Sequence, residues 1–173
     1  MDPRAHFGML ARYNAWATRR LYEHIEALPE ADYRRDAGLF FRSVHGTLNH
    51  LHVGEHLLWQ RRFADAALSA LRLDAEVETD RARLQALLLD GVGRWPALIA
   101  AWPEARYAGT LDYVTTRGVA QSLPFAATLA HVFNHSTHHR GQITAALTAL
   151  GHACPELDLA WMLQAQSGGA SAR

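Results

Sequence analysis

The chain contains no lysine; all 17 basic residues among its 173 are arginine. That excludes a Schiff-base lysine, a phosphate-loop lysine and a lysine general base. Cysteine is nearly absent as well. Cys154 is alone, so no internal disulfide and no multi-cysteine zinc cluster can form. Its place between Gly151 and Pro155 reads as a turn rather than as the setting of a nucleophile. No apolar run approaches the ~20 residues of a membrane span, so no membrane association is expected. The start, Met1-Asp2-Pro3, lacks a basic-then-apolar stretch, and the expected location is cytoplasmic. Net formal charge is +0, which gives no reason to expect nucleic acid as a partner.

What the chain has in excess is histidine, 11 residues in all. Apolar residues make up 49% and charged residues 20%, an ordinary globular balance that favours one domain over residues 1–166 with a flexible tail at 167–173. Apolar residues at helical spacing predict a first helix from Pro3 to Leu28, ended by Pro29. Residues 30–42 read as a loop with an apolar plug, Leu39-Phe40-Phe41. A second helix is predicted from Ser43, a suitable N-cap, to Ala66. A third runs from Glu76 to Ala101, weakened by Gly91, Gly93 and Pro96. Tyr107, Thr110, Leu111, Tyr113, Val114, Thr115 and Thr116 favour strand, and Arg117-Gly118 suggests a turn, so residues 105–124 read as a β-hairpin or extended connection. A fourth helix spans Pro124 to Leu150, stopped by Gly151, and a short last helix spans Leu157 to Gln164. The expected fold is all-α: a four-helix bundle with a long crossover connection before the fourth helix and a short C-terminal helix.

The strongest chemical signal is His131, His135 and His139, spaced four apart within the fourth helix. Residues at this spacing share a helix face, and neutral imidazole is the commonest metal ligand near neutral pH. On a helical wheel, Phe125, Leu129, Val132, Ser136, Ile143, Leu147 and Leu150 mark the buried centre. His139 lies at its edge and His135 beside it, whereas His131 falls farther round and His138 farther still. A catalytic metal site commonly takes three protein ligands, so a third must come from another element. The second helix offers His50, His52 and His56, and periodicity leaves them tied. Glu55 falls in the middle of the apolar stripe of Leu48, Leu51 and Leu58. A carboxylate there needs a partner, and it can orient a ligand histidine, bind the metal or act as a base. The bland alternative is that i, i+4 histidines are surface or hydrogen-bonded core residues; His6, His24, His45, His138 and His152 read that way.

Thr47-Leu48-Asn49-His50-Leu51 and His131-Val132-Phe133-Asn134-His135-Ser136-Thr137-His138-His139-Arg140-Gly141-Gln142 closely resemble the DinB family of metalloenzymes. So do Tyr13-Asn14-Ala15-Trp16-Ala17-Thr18-Arg19-Arg20-Leu21 and Ala149-Leu150-Gly151 with Leu157-Asp158-Leu159. The resemblance implies a four-helix bundle and a divalent metal on His50, His135 and His139, which breaks the tie on the second helix. It implies zinc or nickel first, with iron, manganese or copper as alternatives, and often a homodimer. Some relatives are thiol-dependent transferases or isomerases, so a low-molecular-weight thiol is an expected co-substrate and a small molecule the expected substrate. Glu55 and His131 are then candidate acid/base or supporting groups, and Asn14 a candidate pocket residue. Two functions follow: a metal-dependent enzyme of thiol transfer or hydrolysis, or a stress-related binding protein whose metal is structural.

Overall fold

Asp2 and Pro3 start the first helix: the Asp2 carboxylate accepts hydrogen bonds from the Arg4 and Ala5 amides, and proline suits the first helical turn. The computed structural model describes residues 2–66 and 71–170. In it α1 spans Pro3–Ile25. The segment expected as loop holds a short helix, α2, Glu30–Arg34, with Pro29 at its cap, Glu30 and Asp32 in its first turn, and Tyr33 fully buried. Leu39 and Arg42 then close a tight turn, with Arg42 in the left-handed region at φ 68°.

The second long helix is not uniform. Ser43 caps α3, Val44–Leu51, by accepting from the Gly46 amide at 3.0 Å. The chain continues as a π-helical segment, His52–Trp59, and returns to α-helix as α4, Gln60–Phe63. At the exit the Gln60 amide donates to the Glu55 carbonyl, five residues back. Helix α5, Arg81–Ala101, begins later than Glu76 because residues before it are tied elsewhere. Asn49 clamps Glu78: its Oδ1 accepts from the Glu78 amide and its Nδ2 donates to the Glu78 carbonyl, both at 3.0 Å. Asp80 then caps α5.

A 3₁₀ turn at Glu104–Ala108 leads into β1, Thr110–Val114, and β2, Ala120–Pro124. They pair antiparallel, with Thr110 opposite Pro124 and Val114 opposite Ala120, so the connection is a hairpin. Gly118, at φ 79°, supplies the left-handed residue of its turn. Helix α6 spans Phe125–Ala149, and α7 spans Leu159–Ala170, past the expected end at Gln164 and into the segment read as a tail. Residues 171–173 of that tail lie outside the described residues.

The molecule is thus mostly helical with one two-stranded sheet. Helix α1 packs on α5 and α6, and the α3–π run packs on the same two helices. Two apolar clusters form between them. One gathers Leu21, Ile25, Tyr33, Leu48, Leu84, Leu88, Ile143 and Leu147. The other gathers Phe7, Phe63, Trp95, Ile99, Tyr107, Phe125 and Leu129. On α1, the π segment and α6 the positions between these clusters are polar: Asn14, Glu55 and Ser136. That polar layer and the histidines around it are where the chemistry lies.

Candidate metal centre

The expected α-helical face of α6 does bring His135 and His139 together, and α3 supplies His50. His135 Nε2 lies 3.1 Å from His50 Nε2 and 3.1 Å from His139 Nε2. Among the described residues these three form the group able to hold a metal ion, with ligand atoms all within 4.8 Å of one another. The opposite nitrogens of two rings are fixed. His50 Nδ1 donates to the Leu73 carbonyl at 2.7 Å, and His139 Nδ1 donates to Gln142 Oε1 at 2.7 Å. Each ring therefore presents a bare lone pair at Nε2. His135 can give a proton to one of them but not both, so a lone pair stays unmatched unless a cation sits among the three.

The fit to a metal is good on this chemistry. Neutral imidazoles oriented through their second nitrogen are the usual ligand arrangement. Nitrogens bonded at ~2.0 Å to a tetrahedral ion stand about 3.3 Å apart, close to what is found. Burial also keeps the rings neutral. Together with the neighbouring His139, His50 and His131, and against Glu55, it lowers the His135 pKa to about 3. It lowers His139 to about 4, opposed by the Gln142 hydrogen bond. His50 is lowered by burial and partly restored by the Leu73 carbonyl. Phe41 stacks on His50 with ring centroids 3.8 Å apart and 15° between planes, so the plug read in the loop covers one side of this group. Its neighbour Phe40 is exposed.

Glu55 does not join the three histidines; its carboxylate is held by other donors. Trp95 Nε1 donates to Oε1 at 2.8 Å, Asn14 Nδ2 to Oε1 at 2.5 Å, and Ser136 Oγ to Oε2 at 2.5 Å. Asn14 in turn accepts from the buried Arg140 guanidinium, so Glu55 and Arg140 compensate each other's charge across one amide. Burial pushes the Glu55 carboxyl up, but His56, the Ser136 hydroxyl and Arg140 outweigh it and leave the pKa below its ordinary value. Asn14 is fully buried within this layer. His131 is exposed, with its ring 5.7 Å from that of His135 and 5.5 Å from Trp59. His138 is exposed, as the wheel predicts, and His45 is a buried structural residue beside the Tyr33 hydroxyl at 3.2 Å.

His52 and His56 face each other, Nδ1 to Nδ1 at 3.3 Å, apart from the triad. His56 Nε2 is sealed without a hydrogen bond, 3.6 Å from Glu55 Oε1. Two contributors escape sequence reasoning. Gln142 carries a signal, since it lies one turn from His139 on the same face. The Leu73 carbonyl carries none, because any residue could supply it.

Comparison with known proteins identifies the family. Residues 2–171 match the family model described as the DinB family. A curated relative, "Protein DinB" of Bacillus subtilis (strain 168), is 26% identical over 155 residues, which span 86% of this chain and 88% of the relative. No solved structure matches. No helix among the described residues is long and apolar enough to cross a membrane.

Proposed function

The chain belongs to the DinB family, and on that premise we propose that it is a metal-dependent enzyme whose ion is held by His50, His135 and His139. The observation that carries this reading is the meeting of three Nε2 atoms, two of them left as bare lone pairs because Nδ1–H of the same ring donates to an acceptor behind it. The family resemblance favours zinc or nickel, with iron, manganese or copper as alternatives; the all-imidazole set by itself suits zinc, nickel, copper and iron alike. Once bound, such an ion supplies Lewis acidity toward a small thiol or a water, lowering its pKa toward neutrality.

The protein's own residues supply the rest. Three neutral imidazoles add no negative charge, so the centre attracts an anionic thiolate. His131, exposed beside His135, is placed to exchange a proton with solvent. Glu55, Asn14 and Arg140 hold the interior at the right spacing, and their polar atoms other than Arg140 Nε are already engaged. The favoured reaction is transfer of a low-molecular-weight thiol to an electrophile, a detoxification chemistry, with hydrolysis as the near variant. The same reading takes the long helices as a four-helix bundle, the protein as a cytoplasmic homodimer, and residues 1–166 as its one domain.

A second reading has support in the face-on Phe41–His50 stack and in the way the triad joins α3 to α6. Here the metal braces the helices without turnover. Elemental analysis of protein from its own host, followed by a thiol-transfer screen with the metal loaded, separates the two. The enzyme reading expects turnover that vanishes in His135→Ala while the helical circular dichroism spectrum persists. Turnover that survives metal removal sinks it, and a metal that raises Tm without any turnover favours the brace.

A further inference from the structure

A cavity of about 550 Å³ lies between the π segment and α5, away from the three metal-facing histidines. Its wall is largely carbon: Leu57, Leu87, Ala97 and Leu98 line it. Leu87 keeps 39% of its surface exposed there, an apolar side chain left open to water. Three polar side chains, each more than nine-tenths buried, also line it: His52, His56 and Gln60. Gly91 lets them come close to α5, because a Cβ there would lie 2.0 Å from the His56 ring.

The internal bonds of this trio leave three polar atoms over, of which His56 Nε2 is sealed beside Glu55 and two remain. His52 uses Nδ1 toward His56, and Gln60 uses Nε2 to donate to the Gly91 carbonyl at 2.6 Å. His52 Nε2 and Gln60 Oε1 hold no hydrogen bond among the described residues, and neither is among the sealed atoms. Two unmatched polar atoms therefore border an apolar hollow. Of the charged residues that line it, Asp90 and Arg94 pair with each other and Arg61 is not free either, so none stands unpaired to select a charged guest. The volume lies within the range of small-molecule sites, in which a few placed polar groups orient an apolar body.

We propose that this cavity is a second binding site, for a neutral, mainly apolar molecule of about one or two rings that carries one hydroxyl. The hydroxyl donates to His52 Nε2, a bare acceptor because the His52 Nδ1–H is spent on His56, while the ring body packs on Leu57, Leu87 and Leu98 beside Gln60. The site takes no metal from the triad and does not depend on the metal for its shape.

The test is titration of the full chain with 2-naphthol and with its isostere 2-methylnaphthalene, followed by calorimetry and by NMR of assigned side chains. The expected result is saturable one-to-one binding that shifts the Leu87 and Gln60 signals. Naphthol should bind about fivefold tighter, the worth of one net hydrogen bond. His52→Phe should abolish that preference yet keep 2-methylnaphthalene. Ala97→Trp, at an exposed helix position on the cavity wall, should abolish binding of both and leave metal content unchanged. Absence of saturable binding, shifts confined to His50, His135 and His139, or binding untouched by Ala97→Trp would each overturn the proposal. So would loss of a dimer in Ala97→Trp without probe binding by either protein, which assigns the face to a second copy.

Discussion

His50 and His56 stand six positions apart on one helical run and are equally buried, each 5% exposed. Their chemistry diverges because of what holds the far side of each ring. His50 donates through Nδ1 to a backbone carbonyl and turns a bare Nε2 toward two other imidazoles. His56 spends Nδ1 on His52 and buries Nε2 beside the Glu55 carboxylate. Burial and spacing do not separate a ligand from a structural histidine. The partner of the second nitrogen, and the convergence of the first with others, do.

The comparison breaks most visibly at Glu55, which belongs to the structural side. Glu55→Ala should cost about 3–5 kcal/mol of stability, as it leaves Arg140 uncompensated. Urea denaturation reads this, and Glu55→Gln should retain the metal; loss of metal in Glu55→Gln would move Glu55 to the ligand side. His135→Ala should weaken metal binding at least about a hundredfold, more than the loss of a supporting group does, whereas His56→Phe should leave metal affinity within a few-fold. Competition with a chromophoric chelator measures both.

Gly91→Ala probes the structural side alone. An ordinary helix interior gains about 1 kcal/mol from this change. Here the new methyl meets the buried His56 ring at 2.0–2.4 Å, so destabilisation of about 1–3 kcal/mol is expected instead. A raised Tm would show that His56 moves freely. On the ligand side, Gln142→Ala removes the acceptor behind His139 and should weaken metal binding about tenfold without a change in Tm of the metal-free protein.

The gentlest test is pH in the metal-stripped protein. His135 and His139 are held down to about 3 and 4, chiefly by burial, and His52 to about 4 by burial and His56. Unfolded imidazole titrates near 6.5. The unfolded chain therefore takes up protons between about pH 6.5 and 4 that the folded chain refuses, and stability falls as pH falls through that window. The slope per group is at most about 1.4 kcal/mol per pH unit. Denaturation midpoints at pH 7, 6 and 5 should decline, and less steeply in His135→Ala.

The parts of the molecule legible in sequence are those governed by local rules. Proline at 3 and 124 and the cap Ser43 mark helix starts, and Gly118 marks the hairpin, whereas α1 ends at Ile25 rather than at the expected Leu28, and Pro29 caps α2. The wheel places His135, His139 and His138 correctly on α6, which is regular α-helix. It left His50, His52 and His56 tied because the second helix is not regular: the π segment has more residues per turn, and a uniform 100° step loses phase beyond His52. Resemblance to the family, not periodicity, singled out His50. The segment before α5 reads as an approach to that helix because it is acidic, whereas Asn49 holds Glu78 in a clamp outside the helix. Such long-range ties leave no local trace.

The π segment also has a consequence for anyone editing this chain. It stores one spare step of rotation between His50, which faces the triad, and Gln60, which faces α5. Deleting one residue within 52–59 would let the run relax to plain α-helix with the phase beyond it kept, whereas relaxing to α-helix at its present length would turn everything beyond it by about 100°. His50 and Glu55 could then not both keep their neighbours. The stretch behaves as a phase shifter in the helix, and an insertion there should be far less forgiving than a single deletion.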